Sequence, residues 1–118
     1  MRRKQATPRE VLNKELEDVV DAAIRADKYR IFTQRVKNKD APGYFDVVRN
    51  PIDLSVMKGK AKRRAYSNLD DLRADLKQMI HNSVLYNGMK HDVTTFAESL
   101  ATAAEKEIKA KKLETYEL

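Results

Sequence analysis

The chain contains the segment Met79-Ile80-His81-Asn82-Ser83-Val84-Leu85-Tyr86-Asn87-Gly88, whose last two residues are typical of a helix end. Asparagine and glycine are the residues that most readily adopt a left-handed backbone, so this segment predicts the last turns of a helix that stops at Asn87-Gly88. Tyr86 and Asn87 then lie together at the helix end, where a side-chain amide can face a neighbouring groove. Such pairs commonly serve only as a helix cap. A binding function for Asn87 therefore requires another part of the chain to form the opposite wall of a pocket.

The composition indicates one small helical domain. The chain has 118 residues, 42% hydrophobic and 36% charged, which is enough for a single core with a charged surface. Three glycines and three prolines are too few for the many tight turns of an all-β fold. The absence of cysteine excludes disulfides and thiolate metal sites. No apolar run approaches the ~18 residues of a membrane span, and no signal-peptide pattern is seen.

Two amphipathic helices are expected in the first half of the chain. Thr7 is a typical N-cap before Pro8, and the apolar spacing that follows predicts a helix over about residues 8–30. Its apolar stripe comprises Leu12, Leu16, Val19, Val20, Ala23 and Ile24. Asp53 is the expected N-cap of a second helix that ends near Arg64. The inner stripe of this helix comprises Leu54, Met57 and Ala61.

Two further helices are expected in the second half. Ser67, with Asp70 three residues later, resembles a capping box and predicts a third helix that runs to Tyr86. Its inward positions are Leu69, Leu72, Leu76, Met79, Ile80 and Ser83. Asp92 is the expected cap of a fourth helix that frays after Lys112. Its stripe comprises Val93, Phe96, Ala97, Leu100, Ala104 and Ile108.

A long connection over residues 31–50 separates the first two helices. Long ordered loops within compact helical domains are often functional. This one carries too much apolar and aromatic surface to lie in water, including Phe32, Val36, Tyr44 and Phe45. We therefore expect the loop to fold back onto an all-α bundle of four helices.

The chain resembles the bromodomain family over about residues 8–112. The residues that carry the resemblance are Tyr44, Val47-Val48-Arg49-Asn50-Pro51-Ile52-Asp53-Leu54, Met57, Tyr66, Leu69, Asp75, Asn82 and Tyr86-Asn87. The resemblance implies a left-handed four-helix bundle. It also implies that the loops after the first and third helices enclose a pocket for N-acetylated lysine, usually on histone tails.

The resemblance assigns polar and rim positions to individual residues. Asn87 matches the asparagine whose amide holds the acetyl carbonyl, and Tyr44 matches the loop tyrosine that reaches this carbonyl through a water. Tyr86 matches the aromatic residue beside the asparagine. Val93, six residues beyond Asn87, matches the gatekeeper at the pocket rim.

The apolar wall is assigned in the same way. Ile31 and Phe32 match the apolar shelf, and Val36 matches the loop valine that packs against the acetyl-lysine stem. Ala41 falls where a larger apolar residue often lines the pocket. Arg35 stands where many members have proline, and Ile31 stands where many have tryptophan. Ile31, Arg35 and Ala41 therefore leave the ligand preference open.

The chemistry of acetyl-lysine agrees with these assignments. Acetylation converts an ammonium into a neutral amide with one strong acceptor and an apolar methyl, which calls for a donor in an apolar slot. Asn87 can supply the donor, and Phe32, Val36 and Val93 can supply walls. Plain core packing is the alternative for Tyr44 and for these apolar residues, and the sequence leaves it open.

Other functional patterns are weak. His81 and His91 are ten residues apart with no carboxylates spaced for a metal, and surface positions are expected for both. No phosphate loop or catalytic triad is evident, and no cofactor is expected. A basic run has no acid within it and allows either a solvated helix face or weak DNA contact. It comprises Lys58, Lys60, Lys62, Arg63 and Arg64.

The sequence thus predicts a non-enzymatic acetyl-lysine-binding module. We expect a disordered basic N-terminus over residues 1–6, the domain over 7–112 and a tail over 113–118. The resemblance implies acetylated tails of histones or other proteins as partners and a nuclear location, and we expect no membrane contact and a monomeric isolated domain. The net charge of +6 keeps a nucleic-acid-binding helical domain as the alternative from another class.

Overall fold

The computed structural model describes residues 5–115, which contain five α-helices and no β-strand. The helices are α1 (Pro8–Ala26), α2 (Tyr44–Val47), α3 (Leu54–Lys62), α4 (Leu69–Asn87) and α5 (Asp92–Ala110), and a 3₁₀ turn follows at Leu113–Thr115. The four longer helices correspond to the four expected from the sequence. The predicted all-α bundle is therefore confirmed.

The two helices of the first half begin where expected. The hydroxyl of Thr7 accepts a hydrogen bond from the backbone N–H of Glu10 at 3.1 Å. The carboxylate of Asp53 does the same for Val56 at 2.9 Å. Each cap satisfies an N–H that has no partner within its helix.

The caps of the last two long helices lie one residue away from the predicted positions. Asn68, not Ser67, caps α4, and its side chain accepts from the N–H three residues later at 2.9 Å. Acids follow both residues at capping spacing, so the spacing alone does not choose between them. His91, not Asp92, caps α5, because its Nδ1 accepts from the N–H two residues later at 3.1 Å.

Three helix ends were predicted too late. α5 ends at Ala110 and not after Lys112, which has a left-handed φ of 57°. α1 ends at Ala26 and not near residue 30, and Arg30 already has a left-handed backbone with φ of 53°. α3 ends at Lys62 and not near Arg64, which has φ of 59°. The N–H of Ala65 then donates to the carbonyl five residues earlier at 2.8 Å, which closes the helix end.

The core lies between α1, α3, α4 and α5, with α1 packed on α5 and α3, and α4 packed on α5. Its fully buried side chains include Leu16, Leu54, Leu72, Leu100 and Ile108. The apolar stripes expected from the sequence supply most of this core. Asn13 was not expected to be buried, yet its amide donates to the carbonyl of Tyr66 at 2.8 Å and accepts from the N–H of Tyr66 at 3.1 Å.

The predicted ends of the domain are only partly open to comparison. Residues 1–4 of the expected disordered N-terminus and 116–118 of the expected tail lie outside the described residues. Leu113, which was assigned to the tail, is only 4% exposed and belongs to the core. The packing therefore continues beyond residue 112, and the division into 7–112 and 113–118 stays a prediction.

The loop between α1 and α3 contains α2, a single helical turn that was not expected. Gly43 precedes it with a left-handed φ of 75°, a conformation that glycine adopts at little cost. The turn places the ring of Tyr44 in a buried position. Within residues 5–115, no helix is both long and apolar enough to cross a bilayer.

Candidate functional site

Asp27 anchors the beginning of the long loop. Its carboxylate is 3% exposed and accepts hydrogen bonds from the N–H groups of Ile31 at 3.0 Å and Phe32 at 2.9 Å. It also accepts from the hydroxyl of Thr33 at 2.6 Å. Because one buried acceptor group holds three consecutive residues, the chain turns sharply after α1 and brings Ile31 and Phe32 to the end of the bundle.

The same segment is held against the N-terminus of α3. The N–H of Leu54 donates to the carbonyl of Phe32 at 2.7 Å, and the N–H of Ser55 donates to the carbonyl of Thr33 at 3.2 Å. First-turn N–H groups of a helix have no partner within the helix, so these bonds satisfy donors that would otherwise be unpaired. The start of the loop is thereby fixed at both its amides and its carbonyls.

The middle and the end of the loop are fastened to α4. The hydroxyl of Tyr86 donates to the carbonyl of Pro42 at 2.9 Å. The amide of Asn82, which is 2% exposed, donates to the carbonyl of Asn50 at 2.8 Å and accepts from Gln78 at 2.8 Å. The loop therefore forms a fixed wall opposite the C-terminal end of α4.

A cavity of about 350 Å³ lies between this wall and the ends of α4 and α5. All eight residues predicted for the binding site line it, namely Ile31, Phe32, Val36, Ala41, Tyr44, Tyr86, Asn87 and Val93. The structure thus brings together residues that are up to 62 positions apart in the sequence (93 minus 31). Six further residues complete the lining, namely Arg30, Gln34, Arg35, Lys37, Asp40 and Ser83.

Asn87 is the last residue of α4, and a directed chain of hydrogen bonds orients its amide. The amide donates to the hydroxyl of Ser83 at 3.2 Å, and the hydroxyls of Ser83 and Thr94 are 2.8 Å apart. Thr94 gives its single proton to the carbonyl of Gly88 at 2.8 Å, so Ser83 must donate to Thr94 and accept from Asn87. One of the two amide protons of Asn87 is thereby used, and the other is left for a further acceptor.

Tyr44 is held in the neutral form. Its side chain is 8% exposed, and its ring packs edge-on against the rings of Phe45 and Tyr86, each with a centroid distance of 5.2 Å. Burial raises the pKa of the Tyr44 phenol above its usual value of 10.0, and the nearby negative charge of Asp53 raises it further. At neutral pH, Tyr44 can therefore both donate and accept a hydrogen bond.

The apolar wall combines core packing with cavity lining. Phe32 is half-buried against the core, and its ring centroid lies 6.3 Å from that of Phe96. Val36 and Val93 are also half-buried, whereas Ile31 is 38% exposed. The two alternatives that the sequence left open for these residues, core packing or a cavity wall, are therefore not exclusive.

Charged side chains surround the mouth of the cavity. Arg30, Arg35 and Lys37 bring positive charge, and Asp40 is the one acid among the lining residues in the described part of the chain. All four are exposed. The guanidinium of Arg35 lies over the ring of Phe45, 4.8 Å from its centroid, which favours one position for this flexible side chain.

Several positioning residues were not recognised from the sequence. Asp27 was assigned to a helix interior, and the first amide that its carboxylate binds is that of Ile31, four residues later, so no adjacent pattern identified it. Thr94 was not singled out, and Ser83 was expected only as an inward-facing helix residue. Their role in orienting Asn87 depends on contact between α4 and α5, which has no local sequence signal.

The basic run is partly neutralised. Lys58 contacts Asp21 at 2.7 Å, Lys60 contacts Asp75 at 2.6 Å, and Arg64 lies 3.8 Å from Glu10. Lys62 and Arg63 are exposed and have no ion pair within residues 5–115. DNA contact through this run stays a prediction, with fewer free charges than the sequence suggested.

Both histidines have exposed side chains, and one of them has a structural role as the cap of α5. Among the described residues, no group of three or more histidine and acidic side chains is placed to hold a metal ion.

Comparisons with known proteins agree on one family. A family model described as Bromodomain matches residues 16–99. The Transcription initiation factor TFIID subunit 1 of Arabidopsis thaliana is 36% identical over 87 residues, which cover 72% of this chain and 4% of that protein. Bromodomain-containing protein 9 of Danio rerio is 34% identical over 83 residues, which cover 70% of this chain and 13% of that protein.

A third relative, the Bromodomain-containing protein homolog of Drosophila melanogaster, is 38% identical over 72 residues, which cover 61% of this chain and 5% of that protein. The chain therefore spans only a small part of the length of these curated relatives.

Proposed function

The chain belongs to the bromodomain family, and from this premise we propose that it binds N-acetylated lysine in the cavity beside Asn87. Bromodomains generally read acetyl-lysine as binding modules without catalysis. In this chain, the amide of Asn87 holds the acetyl carbonyl directly, and Tyr44 reaches it through a water. The partners are acetylated tails of histones or other chromatin proteins in the nucleus, and the isolated domain acts as a monomer.

The observation that carries this proposal is the state of the Asn87 amide. One of its protons is given to Ser83, and the amide makes no second hydrogen bond to any residue between 5 and 115. An orientated amide proton in a cavity that is also lined by Phe32, Val36 and Val93 is the complement of a carbonyl oxygen with an apolar methyl beside it. A ligand without an acceptor would leave this donor unpaired, which costs about 1–3 kcal/mol for a buried group.

Tyr44 supports the same assignment. Its hydroxyl is not bonded to another side chain within the described residues, and its raised pKa keeps the proton in place at neutral pH. The packing of its ring against Tyr86 fixes its direction, because the hydroxyl of Tyr86 is itself tied to the carbonyl of Pro42. A neutral phenol held in this way can bind a bridging water.

Discrimination against unmodified lysine follows from the charges of the lining. Entry of an ammonium requires its desolvation, and the only lining carboxylate among the described residues is Asp40, which is exposed at the mouth. Arg30, Arg35 and Lys37 outnumber it, so the lining carries a net charge of +2 (three cations minus one acid). The cavity therefore repels an ammonium and accepts a neutral amide.

The expected affinity is weak. Burial of the ligand methyl and four methylenes at ~0.8 kcal/mol each contributes about 4 kcal/mol. The hydrogen bond to Asn87 adds a net ~1 kcal/mol, and backbone contacts of the peptide add some more. Because ordering of the peptide offsets much of this sum, we expect Kd on the order of micromolar to hundreds of micromolar.

Titration calorimetry with pairs of peptides that differ only in acetylation of one lysine tests the proposal. Only the acetylated member of each pair should bind measurably, and free acetyl-lysine at high concentration should compete with it. A chain that binds nucleic acid as its main function would instead bind duplex DNA more tightly than any acetylated peptide. Equal binding of acetylated and unmodified peptides would remove the basis for a reader function.

A further inference from the structure

The mouth of the cavity is basic, and its cations come from one segment. Arg30, Arg35 and Lys37 lie on the loop after α1 and line the same cavity as Asn87. The guanidinium of Arg35 lies over the ring of Phe45, and this contact restricts the positions of the side chain. Asn87 would bind the acetyl group inside the cavity, and residues next to the acetyl-lysine in a bound peptide must therefore pass close to these cations.

These cations differ from several of those on the helices. Lys58, Lys60, Arg73 and Lys111 each pair with at least one carboxylate at 2.9 Å or less. No ion pair to Arg30, Arg35 or Lys37 is formed by any of the described residues 5–115. The positive charge at the mouth is therefore available to a ligand.

The acids near the mouth do not cancel this charge. The carboxylate of Asp27 is buried and accepts three hydrogen bonds, and that of Asp53 caps α3. Asp40 faces the cavity and opposes one of the three cations. Asp92 lines the neighbouring groove beyond Val93 and Ile31, so the charge is asymmetric across the rim.

We propose that the site selects acetyl-lysine segments that carry anionic side chains next to the acetylated residue, with Arg30, Arg35 and Lys37 as the residues that determine this preference. The inference rests on the proposed function, since it concerns what flanks the acetyl-lysine in the same cavity. The shared chemistry is an anion on the peptide, which can be the carboxylate of an acidic residue or the phosphate of a phosphorylated one. A lysine-rich tail is the ligand that this rim disfavours.

Four peptides with one central acetyl-lysine test the preference. They differ only at the two positions that flank it, which are both glutamate, both glutamine, both lysine or both phosphoserine, and each has an unacetylated counterpart. The glutamate peptide should bind about three- to tenfold more tightly than the lysine peptide at low salt, because exposed charge pairs are individually weak. The glutamine peptide should lie between them, and high salt should reduce the differences.

Charge variants locate the effect. The double variant Arg35→Glu with Lys37→Glu should reverse the order of the glutamate and lysine peptides. The neutral double variant Arg35→Gln with Lys37→Gln should bind the glutamate and lysine peptides with nearly equal affinity. Lys37→Glu alone breaks no side-chain hydrogen bond or ion pair among the described residues and serves if the double variants do not fold. It should reduce the difference in affinity between the glutamate and lysine peptides. Lys62→Glu is the matched control for Lys37→Glu, because it makes the same charge change at an exposed residue in a different groove.

The outcomes separate this inference from the proposed function. Equal binding of all acetylated peptides, or tightest binding of the lysine peptide, would overturn the anion preference and leave acetyl-lysine reading intact. Equal binding of the glutamate peptide with and without acetylation would overturn both. A gain with phosphoserine but not with glutamate would support the inference and restrict the anion to phosphate.

Discussion

The side-chain amide of Asn87 is bonded to the hydroxyl of Ser83, one helical turn earlier on α4, at 3.2 Å. Ser83 passes its own proton to Thr94 on α5, whose proton goes to the carbonyl of Gly88. The direction of every proton in this chain follows from the single acceptor at its end. The orientation of the Asn87 amide therefore depends on the contact between two helices and not on Asn87 alone.

Replacement of Ser83 with alanine tests this dependence. The variant removes the acceptor of Asn87 and the donor to Thr94, so the amide can turn its oxygen toward the cavity. We expect about a fivefold loss of affinity for an acetylated peptide, equivalent to about one hydrogen bond. Ser99→Ala is the control, since the hydroxyl of Ser99 is exposed and donates only to the carbonyl of Phe96. Unchanged calorimetric affinity in Ser83→Ala would show that the chain does not orient the amide.

How far the site could be predicted from the sequence differs between its parts. The lining residues could be named because Asn87 ends a periodic helix and Tyr44 follows a recognisable turn, both of which are local patterns. The resemblance then supplied the pairing of distant segments. All eight residues do line one cavity, although their binding roles are still predictions.

The supporting contacts could not be predicted in the same way. Asp27 interrupts no periodicity, and its three hydrogen bonds are apparent only once the loop has turned back on it. The capping choice between Ser67 and Asn68 depends on the side chain that reaches the free amides, since both are good caps. The compensation of Lys58 and Lys60 requires acids on α1 and α4, which lie far away in the sequence.

Asp27→Ala should destabilise the domain and weaken the site together. The variant leaves two N–H groups and the hydroxyl of Thr33 without their acceptor, and a buried unsatisfied donor costs about 1–3 kcal/mol. We expect a loss of about 3 kcal/mol or more in the free energy of unfolding, measured by urea denaturation. Asp18→Ala, at an exposed position on α1, should cost less than about 1 kcal/mol. Similar losses in both variants would contradict an anchoring role for Asp27.

Val93→Phe should change which acetylated peptides the site binds and should have less effect on the stability of the domain. Val93 is half-buried in the first turn of α5 and lines the cavity, so a larger ring there narrows the mouth. On an array of acetylated peptides, the set of accepted flanking residues should change. Val11→Phe adds the same bulk at a position on α1 that is 40% exposed, and should leave the profile as in the wild type. An unaltered profile for Val93→Phe would mean that Val93 does not limit access.

Stability should fall as the pH rises above about 10, because two tyrosines hold their protons more tightly in the folded state. Burial raises the pKa of Tyr44, and burial together with the hydrogen bond to Asp75 raises that of Tyr66 well beyond its usual range. Above the ordinary value of 10.0, the unfolded chain loses these protons while the folded chain keeps them, so stability that is present below this pH is lost.

Urea denaturation at a series of pH values measures this loss. Tyr66→Phe removes the larger contribution, so its stability should decline less steeply above pH 10 than that of the wild type, even though it is lower at neutral pH. Tyr29→Phe, at a position that is 65% exposed, is the control. The raised pKa of Lys111, due to its hydrogen bonds with Glu15 and Asp18, acts in the same direction in all three proteins and does not affect the comparison.

Asn87→Ala should separate binding from folding. The side chain is half-buried on the cavity wall, and its loss removes the donor for the acetyl carbonyl and leaves a gap behind it. Affinity for an acetylated peptide should fall about tenfold or more, which corresponds to at least about 1.4 kcal/mol. The melting temperature should barely move, since the one hydrogen bond that the side chain of Asn87 makes within the described residues is a long one to Ser83. Asn38→Ala makes the same truncation at an exposed loop position and should leave both quantities unchanged.

If Asn87→Ala binds the peptide as well as the wild type does, Asn87 does not hold the acetyl group. If instead its melting temperature falls by many degrees, the residue is mainly a cap for α4.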